Sequence, residues 1–272
     1  MFFLIKKITM KLRNISVSII IAFLSITGLF AQEKTAEELA KMSQNPLANM
    51  MSFPSQDNTT FGNGPNSDRT SNVLNVQPVL PFFGGHLITR TIIPLISSPD
   101  YSKESGSNTG IGDINFSAFY SPTSKNGLTW GVGPVLLIPT NNDFSSHKFS
   151  MGASLLVLKM SKKMVYGFLL SNSWSVAGSS DYSDVNSFFG QYFINMNFAK
   201  GWYISSAPII TANWEAPEGQ QWIVPFGGGG GKIVRIGKIP FNFQAQAFYN
   251  AVRPDNYGGF STRLQIQIML PK

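Results

Sequence analysis

The run Arg263-Leu264-Gln265-Ile266-Gln267-Ile268-Met269-Leu270 (RLQIQIML, residues 263–270) decides the fold class of this chain. Successive side chains of an extended strand point to opposite faces. Leu264, Ile266, Ile268 and Leu270 therefore share one face, and Arg263, Gln265, Gln267 and Met269 the other. The preceding run, residues 240–251, repeats the alternation. Phe241, Phe243, Ala245, Ala247 and Tyr249 stand opposite Asn242, Gln244, Gln246 and Asn250, with Phe248 as the exception. Residues 187–197 do the same with Gln191, Asn195 and Asn197, although Phe189 and Phe193 intrude on the polar face. A soluble sheet would place Lys and Glu on its wet side. Amides and hydroxyls instead hydrogen-bond one another or confined water without the cost of a buried charge. That chemistry points to the inside of a barrel.

Working outward, the chain from residue 47 onward reads as short strand-like runs bounded by Gly, Pro, Asn, Asp and Ser. Strands are expected near 47–60, 71–81, 86–96, 110–120, 128–139, 149–159, 164–176, 185–198, 202–213, 221–234, 240–251 and 260–270. The spacers alternate between long polar stretches (61–70, 97–109, 140–148, 177–184, 214–220, 252–259) and mostly short ones. Long outer loops alternating with short periplasmic turns are the connection pattern of an outer-membrane barrel. The expected fold is all-β: a closed antiparallel transmembrane barrel of about twelve strands over residues 47–272. Ten strands remain open if the first run is a plug and one Gly-rich run is not a strand.

Composition agrees. Charged residues make up only 13% of the 272, against roughly 25% in a soluble domain, while 22 Phe, 8 Tyr and 5 Trp suit lipid contact. There is no Cys, which removes disulfides, thiol nucleophiles and lipidation at cysteine. Lys6, Lys7, Lys11 and Arg13 precede an uncharged apolar run from Ile15 to Phe30, then Ala31 and Gln32. This is the layout of a cleaved signal peptide over residues 1–31; Met10 is an alternative start. The 16-residue run is short for a spanning helix, which needs about 20. Residues 32–46 then form a polar periplasmic segment, helical or disordered. Without those four basic residues, 17 basic residues face 14 acidic ones, so nucleic-acid binding has no electrostatic support.

Trp202 and Trp214 mark the two ends of one strand. Twelve residues at about 3.3 Å each, tilted ~40°, climb roughly 30 Å, comparable to the spacing of aromatic girdles. Trp130, Trp174 and Trp222 also fall near strand ends and complete the expected girdle. Acidic residues collect in the long spacers, with Asp57 and Asp113 close to them, and Lys and Arg collect at the short turns. One rim is acidic, a surface that can recruit cations or ions bridging lipopolysaccharide. Arg90 is a strand-interior charge. It would cost about 2–4 kcal/mol facing lipid at mid-depth and should point inward, either paired with Asp113 or attracting anionic solutes. The expected pore lining is Asn75, Gln77, Arg90, Asp113, Asn115, Gln191, Asn195, Asn197, Asn242, Gln244, Gln246, Arg263, Gln265 and Gln267.

Catalytic patterns fail. His86 at a short turn and His147 in a long loop lie at opposite ends and cannot form a dyad or share a metal. Neighbours such as Ser146 and His147 point apart on extended chain, poor geometry for a nucleophile and its base. Gly227–Gly231 lacks the GxxxxGK[ST] pattern of a phosphate loop. Glycine in a strand more often permits bending or a close approach, here leaving a side-chain-free stretch of lumen wall. No enzyme activity, cofactor or metal is expected.

Several segments carry a family likeness: NPLANMMSFPSQDNTTFG (45–62), LITRTIIPLI (87–96), TGIGDINFSAFYSP (109–122), GLTWGVGPVLLIPT (127–140), GWYISSAPIITANW (201–214), VPFGGGGGKI (224–233) and YNAVRPD (249–255). They resemble a family of bacterial outer-membrane transporters, some members of which are labelled "MetA-pathway of phenol degradation" or, by misplacement, "neuromedin U". The resemblance spans about residues 45–271. It implies a barrel that moves small, hydrophobic or aromatic compounds, and it brings no established functional residues. The expected function is passive passage of a small solute through an amide-lined lumen. The alternative is a non-transporting surface barrel whose acidic loops bind ions or partners. Expected partners are outer-membrane lipid, lipopolysaccharide and the barrel-assembly machinery.

Overall fold

The computed structural model describes residues 34–103, 105–122 and 126–271. The signal segment 1–31 with its cleavage point, and the rim residues Glu104, Lys125 and Lys272, lie outside the described residues.

A Thr35–Glu38 capping box starts the first element. Glu38 N donates to Thr35 Oγ1 (3.2 Å) and Thr35 N donates to Glu38 Oε2 (2.7 Å), satisfying two end groups of helix α1 (Ala36–Ser43). Pro46 follows and disfavours helical backbone at the residue before it. The strands are β1 (Met50–Asn63), β2 (Arg69–Val76), β3 (Val79–Phe82), β4 (Leu87–Pro99), β5 (Ser107–Ile111), β6 (Ile114–Tyr120), β7 (Leu128–Ile138), β8 (Lys148–Met160), β9 (Met164–Gly178), β10 (Asn186–Asn197), β11 (Trp202–Ser206), β12 (Ile209–Asn213), β13 (Trp222–Ile236), β14 (Ile239–Val252) and β15 (Phe260–Pro271). Pro78 and Pro208, which lack an N–H, separate β2 from β3 and β11 from β12; Gly112–Asp113 separates β5 from β6. Each pair continues one stave, so the wall is a closed antiparallel barrel of twelve strands, sealed where β1 pairs with β15.

Register sets the two faces. Gln265 lies opposite both Gln56 and Gln244, and Arg263 opposite both Asn58 and Gln246. Arg263 and Gln267 are only 5% and 4% exposed, while Leu264 and Ile266 on the same strand are 58% and 50% exposed. The polar residues are inside and the apolar ones outside, the inverse of a soluble protein and the arrangement that a lipid surround stabilises. Trp130, Trp202, Trp174 and Trp214 are exposed on the outer face, the first two near the short-turn end. Trp222 is half-buried and meets Trp214 edge-on at 5.1 Å.

The interior is not uniformly polar. Ile88, Phe119, Leu156, Leu158, Val165, Leu169 and Phe193 form an apolar cluster on the β4–β10 side, joined by Val79 and Leu47. A second cluster joins Leu39 and Ala40 of α1 to Tyr203, Ile233 and Met269. The N-terminal segment is therefore part of the barrel's packing, seated at the short-turn end.

Two expectations about charge need correction. Arg90 does not pair with Asp113. Asp113 accepts from Ser145 Oγ (2.7 Å) and Ser146 N (3.1 Å), so it is spent ordering the loop after β7. Asp57 is not near a long loop but mid-way along β1, on the outward face opposite Leu264. It is held by Thr59 Oγ1 (3.0 Å) and Asn72 Nδ2 (2.8 Å), because the period of β1 puts its neighbours Gln56 and Asn58 inside.

Candidate functional site

The candidate site is a cavity of about 130 Å³ in the lumen, floored by residues 42–50 of the N-terminal segment. A single water needs roughly 10–15 Å³ by this measure, so the space suits a small organic solute. Of the residues singled out in the sequence, Gln77, Arg90, Gln191, Asn195, Asn242, Gln244, Gln246, Arg263, Gln265 and Gln267 line it. Asn75 and Asn115 lie outside its lining, Asp113 orders a loop, and Asn197 is engaged by Gln44 of the N-terminal segment, whose residues 35–46 form a plug at the short-turn end.

The plug is anchored by polar bonds of high complementarity. Gln44 Nε2 donates to Asn197 Oδ1 (2.9 Å), and Asn197 Nδ2 donates back to Gln44 Oε1 (3.0 Å). Glu37 Oε1 accepts from Lys200 N (2.7 Å) in the β10–β11 turn. That turn needs left-handed backbone at Lys200 and Gly201, and the Gly201 position packs against Ala36.

Above the plug, amides form a continuous relay. Arg90 Nη2 donates to Gln77 Oε1 (2.5 Å), Gln77 Nε2 to Gln56 Oε1 (3.3 Å), and Gln56 Nε2 to Gln265 Oε1 (2.9 Å). Arg263 donates from Nε to Asn58 Oδ1 (2.9 Å), and from Nη1 to the Ala207 carbonyl (2.7 Å) and Gln246 Oε1 (3.3 Å). Its guanidinium lies 5.0 Å from the centre of the Phe248 ring, which explains why an aromatic breaks the polar alternation of β14. Tyr203 crosses the glycine run: a Cβ at Gly231 would strike its hydroxyl, and that hydroxyl donates to Asn242 Oδ1 (2.7 Å). The side-chain-free strip is thus covered by Tyr203 at this level.

The residues that the sequence reading did not single out are Gln56, Asn58, Tyr203, Ser205 and the plug. Gln56 and Asn58 alternate with Asp57 and Thr59, so a polar residue on both faces hid the phase of β1.

Solved structures share this architecture. An outer membrane channel from Pseudomonas putida F1 superposes with a TM-score of 0.58 at 15% identity, covering 81% of this chain and 94% of that one. Outer membrane phospholipase A from Escherichia coli gives 0.38 at 11% identity over 86% and 98%, and the Salmonella typhi phospholipase dimer with bound calcium 0.39 at 12% identity over 86% and 98%. No family model and no curated protein sequence matches the chain. At 15% identity the likeness to the channel is one of fold; the phospholipase barrels superpose too loosely to bear on chemistry.

The histidine region offers no assembled nucleophile. The His147 ring stacks on Tyr182 at 3.9 Å. Ser146 Oγ donates to the Lys148 carbonyl (3.2 Å), and Ser145 Oγ donates to Asp113. His86 is at the opposite end, beside the Phe83–Gly85 turn.

Proposed function

We propose that this chain is a passive outer-membrane channel for small solutes, exported by its signal segment, with the cavity and its amide-lined wall as the solute path. The observation that carries the reading is the inverted barrel: an apolar exterior around a polar cavity that contains two arginines. The resemblance to the outer-membrane transporter family supports small, hydrophobic or aromatic compounds as the class of solute. Phe193 and Val79, the members of the apolar cluster that line the cavity, supply a surface for such a body beside the amides. The outward Leu and Ile residues would meet lipid, and the acidic long-loop rim would meet lipopolysaccharide. No covalent chemistry belongs to this reading.

One observation favours a second reading, a non-transporting barrel: the plug is bonded at two points to the β10–β11 hairpin at the short-turn mouth. Single-channel recording of the full chain in planar bilayers, with solute uptake into liposomes, separates the two. Discrete conductance and uptake are expected; absence of both overturns the channel reading and leaves the second.

A further inference from the structure

Arg90 and Arg263 line the same cavity. The ion pairs Asp68–Arg69, Asp100–Lys103 and Asp184–Lys148 lie at the long-loop end; among the described residues, neither luminal guanidinium has a carboxylate partner. A buried charge is normally paired, because its desolvation is not otherwise recovered. Each guanidinium carries five N–H donors. Arg90 gives one to Gln77, and Arg263 gives its Nε and Nη1 donors to Asn58, Ala207 and Gln246, leaving its Nη2 group. Two fixed positive charges with spare donors thus face a cavity whose other polar groups are neutral amides and hydroxyls. Phe193, Val79, Met50 and Met42 line the same space.

We infer that the lumen holds a binding site for a small organic carboxylate, its oxygens taken by Arg90 and Arg263 and its apolar body lying against Phe193 and Val79. The planar guanidinium matches the two oxygens of a carboxylate. The apolar lining favours an anion with a hydrocarbon body over a bare mineral anion. This builds on the channel reading by naming the charge and class of solute. Its test is binding, which needs no transport.

Titration calorimetry on the detergent-purified full chain compares benzoate, benzyl alcohol and inorganic phosphate. Benzoate is expected to bind roughly tenfold or more tightly than benzyl alcohol, the size of effect that one charge-assisted hydrogen bond supplies, and more tightly than phosphate. Arg90→Gln removes one charge. Gln246→Glu puts a carboxylate on Arg263 and gives a second test should the first variant fail to show heat-modifiable mobility on a gel. Loss of the benzoate preference in a folded variant supports the site. Equal binding of benzoate and benzyl alcohol, phosphate as tight as benzoate, or a preference unchanged in the folded variants overturns it. Conductance without benzoate preference refutes this site and leaves the channel; preference with neither conductance nor uptake supports the site and refutes the channel.

Discussion

The two sides of the lumen are built from strands of similar length in the same antiparallel pairing, yet they do different work. On the β14–β15–β1 side, inward residues meet in register as amide against amide and Arg263 against Asn58 and Gln246. On the β8–β10 side, the inward residues are Leu156, Leu158, Val165, Leu169 and Phe193 near the short turns, and serines such as Ser150, Ser154 and Ser173 toward the loops. A neutral hydrogen bond contributes only about 0.5–1.5 kcal/mol net, whereas truncating a buried Leu costs about 2–5 kcal/mol. The difference teaches a division of labour: the apolar side holds the barrel and plug together, and the amide side supplies the polar wall of the cavity.

The sharpest way to break that division is to truncate both sides equally. Leu156→Ala should lower the unfolding free energy by about 2–5 kcal/mol, read from urea unfolding in lipid vesicles. Gln265→Ala should cost about 1 kcal/mol. Equal losses would refute the contrast. Next in size is Tyr203→Phe, which leaves the buried Asn242 carbonyl without its donor. A loss of about 1–3 kcal/mol is expected in the same assay, and an unchanged midpoint would show that water replaces the hydroxyl.

The smallest effect lies outside the lumen. Hydrogen bonds from the Ser102 side chain, then Lys103 and the Ser102 backbone, hold the Asp100 carboxyl down at about 2. A depressed carboxyl stabilises its loop above the usual value near 4 and loses that contribution as pH falls through about 2. Protection factors in residues 100–103, each exchange rate taken relative to the intrinsic rate at that pH, should therefore fall at pH 2 relative to pH 5, while the strand amides stay protected. Asp100→Asn should remove the difference; loosening of the whole barrel instead would place the acid sensitivity elsewhere.

These contrasts also explain what was legible beforehand. β10 and β15 fall within one residue of the expected runs, because amides recurring at every second position fix both existence and phase. The run Leu155–Leu158 has apolar residues on both faces, so its inward side could not be told from sequence. Breaks at Pro78 and Pro208 divide staves that still pair continuously with β4 and β10. Docking of the plug was illegible for a different reason. Gln44 and Asn197 lie 153 residues apart, and nothing local in a short capped helix specifies so remote a partner. The cost of a charge in lipid places Arg90 inward, but its partner depends on register, which puts Gln77 rather than Asp113 within reach.

If the proposed solute path exists, the docked segment closes it at the short-turn end. Recording single channels from the chain beginning at residue 32, beside one lacking residues 34–46, tests it most directly. Small or intermittent conductance is expected in the first and larger, persistent conductance in the second. Silence from both, with each barrel folded, would contradict it.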